Sequence, residues 1–129
     1  MAVTGERLGR LSLRIDAAYC AVLGLGVIAA APLLEDVLAL PTVALVAVGG
    51  LTVAWAGGLC WLLTRAPLPV ALRIVAAANI LAAAALAVFS SLAATVPLTI
   101  ALITLAIDIA LFAGSQLAAL VKSSRTRSS

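Results

Sequence analysis

Histidine is absent from this chain of 129 residues, and only 10% of its residues are charged. Without histidine there is neither the commonest metal ligand nor the usual base of physiological pH. The charged fraction falls far below the quarter or so usual in soluble domains. Aromatic residues are few: Tyr19, Trp55, Trp61, Phe89 and Phe112. The two cysteines, Cys20 and Cys60, both fall in apolar stretches. Two isolated thiols without histidine do not make a zinc site. Both read as small apolar packing residues, with no structural disulfide expected on the reducing side of a membrane.

Catalytic patterns are missing as well. No serine or cysteine has a base at useful spacing, and no glycine loop suits a phosphate. The one adjacent acid pair, Glu35-Asp36, reads as solvated loop charge. The chain is therefore not expected to be an enzyme or to hold a metal or cofactor.

What is present is hydrocarbon. Apolar residues make up 65% of the chain, and the mean hydropathy is +1.28. A single soluble domain of this size has nowhere to bury so much, whereas four membrane spans of about 20 residues use most of the length. The apolar runs place spans at 13–31, 42–64, 70–92 and 98–121. Together they make one transmembrane domain over 1–129, with 122–129 as a frayed tail. Pro32 is expected to end the first span, with Glu35 and Asp36 in the loop beyond it. Pro67 and Pro69 stop and restart helices at a tight turn after Arg65. A second short turn precedes Pro97. Turns this short make the second and third, and the third and fourth, helices antiparallel neighbours. The fold class is an all-α, up-down-up-down four-helix transmembrane bundle. Ala29-Ala30-Ala31 resembles a signal-peptidase site, but Asp16 interrupts the start of the run and Pro32 follows the cut. An uncleaved first span is the expectation.

All basic residues lie on one side of this pattern: Arg7, Arg10, Arg14, Arg65, Arg73, Lys122, Arg125 and Arg127. Positive-inside anchoring then places both termini in the cytoplasm and the protein in the plasma (inner) membrane. Anionic headgroups account for the net charge of +3, and no nucleic-acid partner is expected. Trp61 and Tyr19 suit interfacial anchoring. Small residues at steps of four, Gly50/Ala54/Gly58, Ala83/Ala87/Ser91 and Ala106/Ala110/Gly114/Ala118, let helices approach closely, within the bundle or against a partner. So thin a bundle leaves little room for a large cavity.

The polar residues inside the spans are the candidate sites. Asp108 lies about 20 Å from the cytoplasmic helix end, near mid-membrane, where a bare carboxylate costs several kcal/mol. Thr104 and Ser115 share its face at helical spacing, and Thr52 lies at similar depth as a cross-helix partner. Asp108 reads either as a proton or cation relay or as a neutral side chain hydrogen-bonded across the bundle or to another subunit. Asp16, about 6 Å in, is level with Asn79 and Gln116. With Arg14 and Arg73 these form a candidate polar layer at the cytoplasmic side.

Leu13-Arg14-Ile15-Asp16-Ala17, Gly24-Leu25, Leu40-Pro41, Gly50, Arg65, Arg73 and Ala78-Asn79 together resemble a widespread bacterial group of small four-span integral membrane proteins with no assigned activity. The resemblance implies the four-helix topology and makes Arg14, Asp16 and Asn79 positions that match the group's pattern. The chain departs from it after Asn79, where Ile80-Leu81-Ala82-Ala83 replaces an aromatic-rich continuation.

Two functions follow as expectations. One is a non-enzymatic accessory or assembly subunit, or a homo-oligomer, whose surroundings are the lipid bilayer and a second copy or larger membrane-protein partner. The other is a small proton- or cation-coupled transporter or channel that uses Asp108.

Overall fold

A computed structural model describes residues 4–128, and the side chains of residues 4–125. Among the described residues the chain is all-α: α1 (Gly5–Leu38), α2 (Thr42–Arg65), α3 (Leu68–Ser91) and α4 (Val96–Ser128). Each contains a segment long and apolar enough to cross a membrane. Much of their surface is large and apolar, including Val22, Leu33, Val43, Leu81 and Leu111. That surface suits a multi-pass membrane protein, where lipid covers it.

Local chemistry sets most helix ends. Thr4 caps α1 by accepting the Arg7 N–H at 3.1 Å, and Thr95 accepts the Leu98 N–H at 3.3 Å at the start of α4. Pro69 and Pro97 sit in first turns, where a missing N–H costs nothing. Pro32 departs from expectation. It lies inside α1, which runs on through Glu35 and Asp36 to Leu38. A single lost hydrogen bond does not stop so long an apolar helix. α1 ends where Ala39 turns left-handed at φ 55, and Thr42 donates to Glu35 at 2.6 Å across the two helices. The residues expected as a frayed tail are helical to Ser128.

The helices stand in the spatial order α2–α1–α4–α3. α1 lies along α2, α3 along α4, and α1 against α4. α2 and α3, expected as packed neighbours, barely touch. The short Arg65–Leu68 link joins them only at the arginine-bearing end. There a core of Leu13, Ala17, Leu59, Ala71, Leu72, Val75 and Ala119 draws all four helices together. Beyond Trp55 and Ala78 the two helices part.

The glycine stripe of α2 does not make the close contact. Gly50, Gly58 and Gly114 face open space. The close approach is between Gly24 and Gly49, where a Cβ on Gly24 would lie 2.6 Å from the Gly49 carbonyl oxygen. Gly9 against Leu72 and Ala119, and Gly5 against Ser123, set the height of α1 beside α3 and α4.

Candidate functional site

Three polar side chains from three helices close a ring at the centre of the bundle. Asp16 of α1 accepts on Oδ2 from Asn79 Nδ2 of α3 at 2.8 Å and from Gln116 Nε2 of α4 at 2.9 Å. Asn79 Nδ2 also donates to Gln116 Oε1 at 3.1 Å. The Cys20 thiol donates to Asp16 Oδ1 at 3.5 Å, one helical turn along α1. Asp16, Asn79 and Gln116 are 2%, 5% and 0% exposed, so these bonds lie inside the packed bundle. Among the described residues every buried side-chain nitrogen and oxygen has a partner. Arg14 and Arg73, expected in this layer, stay outside it: both are exposed. Their long stems carry the charge outward to a polar surface, a cheaper course than desolvating a guanidinium.

Beside this ring, Ser115 donates to the Phe112 carbonyl at 2.8 Å. Its hydroxyl also lies 2.6 Å from Ser12 Oγ. With its proton committed to Phe112, Ser115 is the acceptor and Ser12 the donor.

Asp108 is held differently. Its partner is Tyr19 of α1, whose hydroxyl donates to Oδ2 at 2.8 Å. The expected partner, Thr52, instead donates to the Val48 carbonyl of its own helix at 2.8 Å. It lines the space between α2 and α3, away from Asp108. Thr104 is exposed, and Asp108 takes its hydrogen bond from Tyr19 and not from Thr104. The Tyr19 ring packs on Phe112 with centroids 5.3 Å apart and planes tilted by 59°. Tyr19, Asp108, Leu111, Phe112 and Ser115 border a shallow groove of about 390 Å³ on the outer face of α1 and α4. Asp108 is part-buried there, and its Oδ1 has no hydrogen-bond partner among the described residues.

Sequence reasoning read Tyr19 as an interfacial anchor and did not pair it with Asp108, which its hydroxyl reaches across the α1/α4 contact. The signal was present: Ser12, Asp16 and Tyr19 recur at spacings of four and three, one polar stripe on one helix face.

On the opposite side of the α1/α4 contact lies a cavity of about 390 Å³, the space left where α2 and α3 part. All four helices line it, chiefly with apolar side chains such as Leu23, Trp55, Leu86 and Leu105; Asp16 and Asn79 reach its edge. The expectation of little interior room is corrected by this cleft. It arises because a tight turn fixes two helices at one end and leaves their far ends unconstrained. Tyr19 borders both the cleft and the outer groove.

Both cysteines are free thiols, Cys60 exposed on α2. Among the described residues no three His, Cys, Asp or Glu side chains gather as metal ligands would. No family model, curated protein or solved structure matches the chain. The resemblance to the bacterial four-span group therefore rests on its short motifs alone.

Proposed function

We propose that the chain is a small non-enzymatic integral membrane protein that works by association within the bilayer, as an accessory or assembly subunit or as a homo-oligomer. The same reading puts it in the plasma (inner) membrane with both ends cytoplasmic, from the one-sided arginines and lysine. Asp108 carries the proposal. A carboxylate at that depth, with one oxygen unpartnered and a groove open to lipid, is costly on any scale. Contact with another polypeptide removes the cost, and the described part of the chain supplies no second donor.

Affinity purification from native membranes in mild detergent, followed by the mass of the intact complex, tests this. A stoichiometric complex, with itself or with another protein, is expected. A bare monomer overturns the reading.

A second reading, a proton- or cation-coupled transporter or channel, draws on one observation: Tyr19 borders both the groove of Asp108 and the cleft beside Asp16. It requires ion flux in liposomes that Asp108→Asn abolishes while the fold persists. Equal flux in the two proteins sinks it.

A further inference from the structure

Building on the assembly reading, we infer that the α1/α4 groove receives a transmembrane helix of a different protein, and that this helix carries a lysine or arginine at mid-membrane that pairs with Asp108. The geometry of the acid comes first. Tyr19 fixes Oδ2 at 2.8 Å and is itself braced against Phe112, so Oδ1 is presented in a set direction. The groove holds about 390 Å³ between Leu111 and Ser115, room for the stem and head of a basic side chain. A cation within hydrogen-bond reach of a carboxylate is how charges are tolerated at this depth.

The cation must come from outside the described part of the chain. On α4 the first basic residue is Lys122, fourteen positions on, about 21 Å along the helix. On α1, Arg14 borders the opposite, α1/α2 face with Ala17, Val53 and Ala56. A second copy of this chain is a poor occupant. Twofold pairing across the groove brings a second Asp108 to this depth and no basic side chain, since the bases of the described chain lie at the other end of the helices. Asp16 offers no comparable site, since its donors and its burial are complete.

The test uses the full chain in liposomes with synthetic spanning peptides: a polyleucine host, and the same host with one central Lys, Arg or Asp. Association is read by energy transfer between labelled partners. The Lys and Arg peptides are expected to associate at least about tenfold more tightly than the host. That advantage is expected to vanish in Asp108→Asn, which still accepts the Tyr19 hydroxyl, and to survive in Thr104→Val. Leu111→Trp, which fills the groove and keeps the acid, is expected to abolish it too. A Lys peptide that binds no better than the host overturns the inference, as does an advantage that persists in Asp108→Asn. So does a self-only oligomer joined through this groove. A native complex whose groove ignores basic peptides defeats this inference and spares the assembly reading; the absence of any complex defeats that reading itself.

Discussion

Two carboxylates lie within the apolar part of this bundle, and their surroundings are opposite. Asp16 faces inward, with donors from α3, α4 and its own helix, and is buried. Asp108 faces outward, with one phenol as its partner and an oxygen left over. Tyr19, which serves Asp108, is only three residues beyond Asp16, so depth alone does not separate them. The difference is one of completion. The cost of placing Asp16 in hydrocarbon is met inside the chain, whereas that of Asp108 is left to whatever lies against α1 and α4.

The largest effect expected from this comparison is at Asp16. Asp16→Ala strands the Gln116 amide and one N–H of Asn79, and is expected to cost about 2–5 kcal/mol of unfolding free energy in mixed micelles. A loss under about 1 kcal/mol would show that the ring does not hold the helices together. Gly24→Leu comes next. Its side chain meets the Gly49 carbonyl and Val53, displacing the helix that carries both Asp16 and Tyr19, at about 1–3 kcal/mol. Gly50→Leu, into open space, is the matched control and is expected to be silent in the same assay. Tyr19→Phe removes a single hydrogen bond, for about 0.5–1.5 kcal/mol. If it costs as much as Asp16→Ala, the two acids are equally structural and the contrast is broken. The smallest effect on folding is expected at Asp108→Asn, within about 0.5 kcal/mol of wild type by the same unfolding measurement, with the loss appearing in association instead.

Much of the bundle could be read in advance, for identifiable reasons. Apolar run lengths mark four helices, and Pro67, Pro69 and Pro97 mark turns because each falls where a helix begins. Pro32 misled because a proline removes one hydrogen bond whether or not the helix continues, and only the chain beyond it decides. Asp16, Asn79 and Gln116 could be grouped because their height on α1, α3 and α4 follows from rise per residue. The partner of Asp108 could not be found that way. Height does not tell which faces meet, and that depends on α1 pressing against α4 while α2 stands apart from α3. Short turns fix which ends are adjacent but not whether packing continues along the helices. Gly24 and Gly49 carry the same lesson: the stripe visible at Gly50 and Gly58 faces outward, one residue out of phase with the glycine that is used.

The gap between α2 and α3 also gives the molecule a taper. At the arginine-bearing end four helices share one core; further along, a cavity of about 390 Å³ spreads them. α2 and α3 are therefore close at the turn that joins them and apart along the cavity. The tight turn at Pro67 sets where α2 and α3 must stay together, and the side chains facing the cavity, Trp55 and Leu86 among them, are free of close packing across that gap.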